Sequence, residues 1–240
     1  MFAQVITLDV FSDIVCPWCY LGHRRLTAAM ERLGDDASDI DLRWRAFQLD
    51  PGADDQPRDL TRALEAKYGP GSFEVMAKRL VPLGREVGIE YNFPKALRVG
   101  TFDAHRLIQW SRSDSGPDTG PDTGPDTGPE SADEGSYGDR TDKLVDALFG
   151  AYFTDGANIA DHGVLRGLAE AMGLDGDAAS EVLGSRSFAE VVMADRAEAI
   201  ESSITGVPAV AYNGATIIPG AQDTDTMELI LRRLHSKFAT

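Results

Sequence analysis

Both cysteines of the chain lie in one stretch, DIVCPWCYLGHRR (residues 13–25), with only Pro17 and Trp18 between them. Two thiols at that spacing can be half of a metal site, a pair of buried structural thiols, or a dithiol that cycles with a disulfide. Structural zinc takes four ligands, usually two such pairs or one pair with two distant histidines. Cys16, Cys19 and His23 would supply three, since Cys19 and His23 are four residues apart on one helical face; the fourth would have to be His105, His162, His235 or a carboxylate. The sequence holds no second ligand cluster, and Pro17-Trp18 is a stiff, bulky spacer for a zinc knuckle. No metal is expected, and His23 reads as a solvated or partly packed helix residue. Two inert buried thiols are the plain alternative.

The elements around the pair favour redox chemistry. QVITLDVF (4–11) alternates and is rich in β-branched residues, so it reads as a strand. Leu21, Leu26, Ala29, Met30 and Leu33 follow at helical spacing, and Gly34 ends the run. Cys16 therefore sits where a strand gives way to a helix, and unpaired N–H groups and the macrodipole at a helix N-terminus stabilise a thiolate. Pro17 falls at the first helical position, where its missing N–H costs nothing. One turn then brings Cys19 round toward the Cys16 sulfur. Asp13, three residues before Cys16, reads either as a helix-capping or proton-handling group or as a solvated turn carboxylate.

Further elements must position this pair. IDLRWRAF (40–47) alternates as a second strand, and helices are expected over Leu60–Tyr68, Phe73–Val87, Thr101–Ser113, Asp142–Phe153, Asp161–Met172, Asp175–Leu183 and Phe188–Ser203. Between the third and fourth of these, at about 114–140, lies a tandem GPDT repeat with no large apolar side chain before Tyr137. It cannot pack a core and reads as a disordered surface loop. GVPAVAYN (206–213) and ATIIPG (215–220) flank Asn213-Gly214, a strong hairpin signal. An amphipathic helix over Thr224–Phe238 closes the chain. The order implies a mixed α/β sheet with helices on both faces.

Asp and Glu number 39 against 23 Lys and Arg, a net charge of −16 that argues against nucleic acid and anionic membrane partners. Lysine occurs only at positions 67, 78, 95, 143 and 237, so arginine supplies most of the positive charge. An acidic surface with few lysine stems fits a protein working at high intracellular salt, where screening relieves self-repulsion. No run approaches 18 apolar residues, and the first residues lack the basic start and continuous apolar stretch of a signal peptide, so a cytoplasmic location is expected.

VFSDIVCPWCYLG, ITGVPAV and IPGAQ together resemble the thioredoxin-superfamily branch of DsbA-like oxidoreductases of the FrnE type, which also holds 2-hydroxychromene-2-carboxylate isomerase and kappa-class glutathione transferase. FDAHRL (102–107) and LFGAYFTDGANIAD (148–161) are similar to segments of that branch's helical insertion. The resemblance implies a thioredoxin-like domain from 1–50 and 204–240, with a helical insertion over 51–203. It implies a cis bond at Val207-Pro208 facing the cysteines, a position where an ordinary trans proline opening a strand is also tolerated. Cys16 and Cys19 would be the catalytic residues of thiol–disulfide exchange, with Pro17, Trp18, Val207 and Pro208 shaping substrate contact. No cofactor beyond a Cys16–Cys19 disulfide is implied. The partners would be a thiol or disulfide substrate and an electron donor, with oligomeric state open and a homodimer among the options. A thiol-dependent isomerase or transferase acting on an aromatic or polyketide-like molecule is the rival activity, and it calls for a deep apolar pocket between the two lobes.

Overall fold

The structure, a computed structural model, describes residues 5–113 and 137–238. Strand β1 (Ile6–Ser12) leads through a short turn into α1 (Pro17–Leu33), and β2 (Ile40–Ala46) then pairs parallel with β1 in the register Ile6 to Ile40 through Ser12 to Ala46. After the helical block, β5 (Ala209–Tyr212) pairs antiparallel with β1, and β6 (Ala215–Pro219) pairs antiparallel with β5. The sheet order is β2-β1-β5-β6. Asn213 and Gly214 both take positive φ, 49° and 75°, which is the two-residue hairpin turn that Asn-Gly favours. Helix α9 (Thr224–Phe238) matches its expected span and packs along α1 through Met227 and Leu231, both buried.

Strand alternation sorts the β1 side chains. Ile6, Leu8 and Val10 join the main hydrophobic cluster with α1 and α9, whereas Phe11 belongs to a smaller cluster with Ala199, Ile204, Ala209 and Ala211. Helix α8 (Ala189–Glu201) covers that second face. Buried Asp195 of α8 ties it down by accepting from Ala46 N at 2.8 Å and from Gln109 Nε2 at 3.0 Å, with Arg45 Nε 3.0 Å away.

The helical block holds α2 (Leu60–Tyr68), α3 (Ser72–Glu86), α4 (Phe102–Arg112), α5 (Tyr137–Gly150), α6 (His162–Ala171) and α7 (Gly176–Gly184) before α8. Aspartates cap several of these: Asp59, Asp161 and Asp175 each accept from backbone N–H groups of the first turn. Leu107 of α4 and Leu144, Leu148 and Phe149 of α5 share the main cluster with the sheet, so one apolar core runs through both parts.

Two differences from the sequence reading stand out. A two-residue ribbon, β3 (Arg58–Asp59) with β4 (Leu97–Arg98), forms where no strand was expected, being too short to show alternation. Helix α5 begins at Tyr137 and not at Asp142, because its first turn carries Gly, Asp and Arg without an apolar period. It passes at Gly150 into one π-turn, Ala151–Asp155, which Gly156 ends at φ 74°. The expected GPDT loop lies outside the described residues over 114–136, and residues 137–140 belong to α5. Among the described residues, no helix is long and apolar enough to cross a membrane.

Candidate functional site

The turn between β1 and α1 closes with Cys16 N donating to Asp13 O at 3.0 Å, and Cys16 takes the N-cap position at φ −91°, ψ 112°. Pro17 occupies the first turn, and Cys19 N and Tyr20 N both donate to Cys16 O, at 2.9 and 3.3 Å. Both cysteines are free thiols and both are buried, Cys16 at 5% exposure and Cys19 at 1%. Burial pushes the Cys19 thiol well above the usual thiol range, and the adjacent Cys16 thiol adds to the rise. Ser12 and the Asp13 N–H act in the opposite direction.

The Cys16 thiol faces the Val207 carbonyl at 3.8 Å, across 191 residues of chain. The Val207-Pro208 bond is cis, and Pro208 O accepts from Gly220 N at 2.8 Å. This loop packs closely on α1 at Gly22, where a Cβ would stand 2.9 Å from Pro208 Cγ and force one of them to shift. The structure thus brings Cys16, Cys19, Val207 and Pro208 together. Half-buried Trp18 lies on the same turn, its ring 4.9 Å from the Arg79 guanidinium of α3.

Beneath that turn sits a support the sequence reading missed. Tyr91 donates its hydroxyl to Pro17 O at 2.5 Å and stacks on Phe93 at 4.9 Å. Burial raises the Tyr91 phenol first, with Cys16, Tyr20 and Cys19 adding, so it stays a protonated donor. Gly84 makes room for it, since a Cβ there would lie 2.6 Å from the Tyr91 ring. The isolated glycines in YLGH and PLGR were the only sequence signal of either close approach.

For two residues the structure rules out the solvated alternative of the sequence reading. Asp13 is neither solvated nor a side-chain cap of α1: it is 1% exposed, accepts from Leu49 N at 2.7 Å and lies 3.3 Å from His105 Nε2. His23 is not solvated either. Helix α5 covers its side of α1, and the imidazole packs edge-on to Trp44 at 5.2 Å with Nε2 3.3 Å from Asp146 Oδ1. Among the described residues, no group of three or more His, Cys, Asp or Glu converges as a metal site. A cavity of about 830 Å³ opens between α1, β2 and α5, lined by His23, Arg24, Leu42 and Asp146 among others; neither cysteine lines it.

Comparison with known proteins agrees with this fold. The family model of the DSBA-like thioredoxin domain matches residues 7–117 and 133–232. The uncharacterized protein YwbO of Bacillus subtilis is 26% identical over 227 residues, covering 94% of this chain and 95% of YwbO. A crystal structure from Streptomyces coelicolor, described as a probable DsbA oxidoreductase, is 26% identical with a TM-score of 0.78, covering 97% of this chain and 91% of the other. A 2-hydroxychromene-2-carboxylate isomerase shares the fold, with a TM-score of 0.63 at 17% identity and 98% coverage of both chains.

Proposed function

Because the chain belongs to the DSBA-like thioredoxin domain family, a thioredoxin fold with a helical insertion, we propose that it is a thiol–disulfide oxidoreductase working through Cys16 and Cys19. The observation that carries the reading is the placement of Cys16: the residue takes the N-cap position of α1, close to buried Cys19, with its sulfur 3.8 Å from the Val207 carbonyl. A thiolate there gains the unpaired N–H groups of the first turn.

In the reducing direction the Cys16 thiolate attacks one sulfur of a substrate disulfide, forming a mixed disulfide and expelling one substrate thiolate. Cys19 gives up its proton and attacks the Cys16 sulfur. The Cys16–Cys19 bond forms, the Cys16–substrate bond breaks, and the second substrate thiolate leaves and is protonated. Two electrons have passed from the enzyme dithiol to the substrate disulfide. The reverse steps oxidise a substrate dithiol. Val207 offers backbone groups to an extended substrate segment, Pro208 fixes the loop carrying them, and Pro17 and Trp18 shape the rim. The redox-active disulfide is the only cofactor this scheme needs, and a separate thiol donor restores the dithiol. The isomerase or transferase reading calls for a deep apolar pocket between the two lobes; the cavity of about 830 Å³ lies between α1, β2 and α5, and neither cysteine lines it.

The test is a pair of variants in a dithiothreitol-driven insulin reduction assay. Cys16→Ser is expected to abolish catalysis, and Cys19→Ser is expected to stall as a mixed disulfide visible in intact mass. A Cys16→Ser protein with full reductase activity overturns the mechanism. The workplace we propose is a salt-rich cytoplasm. A net charge of −16 makes the chain repel itself at low ionic strength, and salt screens that repulsion. The thermal unfolding midpoint should therefore climb as KCl is raised to molar levels, and a flat response contradicts the salt adaptation.

A further inference from the structure

The exchange scheme leaves one step without a route: Cys19 must lose a proton, and at 1% exposure no bulk water reaches its sulfur. What surrounds it is specific. Ser12, at the end of β1, is 4% exposed, and its hydroxyl has no hydrogen-bond partner of good geometry although it faces Cys19. Ser12, Cys19 and His23 together line a small cavity of about 10 Å³, with Gly22 and Pro208 among its other walls. That volume takes one water, and the lining supplies a thiol, a hydroxyl and an imidazole as its partners. Cys19 and His23 are four residues apart on α1, which places them on the same face, one turn from each other.

His23 also borders the open cavity of about 830 Å³ on its other side. There Nε2 lies 3.3 Å from Asp146 Oδ1, a carboxylate on α5 that is 32% exposed, and Arg24 Nε lies 2.7 Å from the same oxygen. The imidazole thus stands between a small cavity at the thiol and a carboxylate whose Oδ1 is buried but whose side chain as a whole is 32% exposed. The charged and titratable groups around it are Cys19 and Arg24 on its own helix, Asp41 on β2, and Asp142, Lys143 and Asp146 on α5.

Resting on the exchange reading above, we propose that His23 is the proton-accepting residue for Cys19, through the Ser12-lined cavity, and that Asp146 connects it to solvent. As Cys19 attacks Cys16, its S–H bond breaks and the proton passes by way of one water to the neutral imidazole. The Asp146 carboxylate faces the imidazolium so formed, and the proton leaves to solvent in the open cavity. The electron pair left on Cys19 makes the Cys16–Cys19 bond, and the departing substrate thiolate takes a proton from bulk water. The burial that holds the Cys19 thiol protonated is the reason a positioned acceptor matters. The second histidine pair, His105 with Asp13, reaches Ser12 through another cavity of about 10 Å³, but Asp13 is 1% exposed and Leu49 N occupies its other oxygen, so that side has no exit.

Dithiobis(nitrobenzoate), a chromogenic aryl disulfide, separates the two thiols when one equivalent is mixed with the full-length dithiol protein. The first chromophore released reports attack by Cys16 and the second reports attack by Cys19. His23→Gln is expected to slow the second release about tenfold or more near pH 7, with the first release keeping its rate. The deficit should narrow as pH rises, because hydroxide then removes the proton without a relay. Asp146→Asn is expected to give a smaller loss of the same pH form, and it carries the test should His23→Gln fail to fold. A wild-type second phase in both variants overturns the proposal, as does a deficit that is the same at every pH. Loss of the second phase in His105→Gln but not in His23→Gln overturns it too, moving the route to the Asp13 side. If the wild-type protein itself shows no second release, the exchange reading fails, an outcome distinct from failure of the relay.

Discussion

Two buried histidines flank the Ser12–Cys19 region, each with an aspartate oxygen 3.3 Å from its Nε2. His105 and Asp13 are sealed, their side chains 3% and 1% exposed, and Asp13 spends its second oxygen on Leu49 N. His23 is as deeply buried, but its partner Asp146 is 32% exposed and opens on a cavity. The same pair of side chains at the same separation therefore does two jobs. The sealed pair is a clamp that joins the end of β1 to α4 and to the segment after β2. The open pair is a conduit. Solvent access to the carboxylate, and not the histidine–aspartate distance, makes the difference.

Breaking the sealed pair should have the largest effect. Asp13→Ala leaves the Leu49 N–H and the buried His105 without partners, and we expect a loss of about 3 kcal/mol in urea unfolding. A loss below about 1 kcal/mol would mean that the clamp carries no weight. The thiol between the two pairs gives the next effect. Cys19 is raised in the folded state, so its contribution is fully present below the unfolded thiol pKa of about 8.5 and is lost as pH rises toward the folded value. The dithiol form should lose up to about 1.4 kcal/mol of stability per pH unit over that window. The Cys16–Cys19 disulfide form, which has no Cys19 thiol to titrate, should lack this loss, and equal alkaline sensitivity in both forms contradicts the assignment. The open pair gives the smallest change: Asp146→Asn should cost less than about 1 kcal/mol, because both Asp146 and Arg24 meet solvent. Destabilisation as large as that of Asp13→Ala would erase the distinction between the pairs.

The sequence shows the scaffold of the site well. Alternation in β1 and β2, the helical run after Cys19, Asn213-Gly214 and the amphipathic stripe of α9 are local patterns, and each lands where the pattern places it. The cysteine pair is legible for the same reason, as a short motif at a strand-to-helix junction, whereas the meeting of Val207-Pro208 with it was implied only by the family resemblance. Residues whose role depends on what packs over them are not legible. His23 looks like one more polar position on α1 until α5 covers it. Asp13 looks like a turn carboxylate until α4 supplies His105. Gly22 and Gly84 look like weak spots in helices, yet each is where another element comes within 3 Å of the missing Cβ. The ribbon of β3 and β4 has two residues a side, fewer than any alternation can reveal.

The central claim is that Cys16 and Cys19 form a reversible redox couple. The direct measurement is equilibration of the full-length protein in a series of glutathione buffers, quenched by acid and read by intact mass with thiol alkylation. The account predicts a single two-electron transition between a dithiol and a species lighter by two hydrogens with both cysteines protected. A chain that keeps two free thiols at every ratio, or accumulates only glutathione adducts, would contradict it.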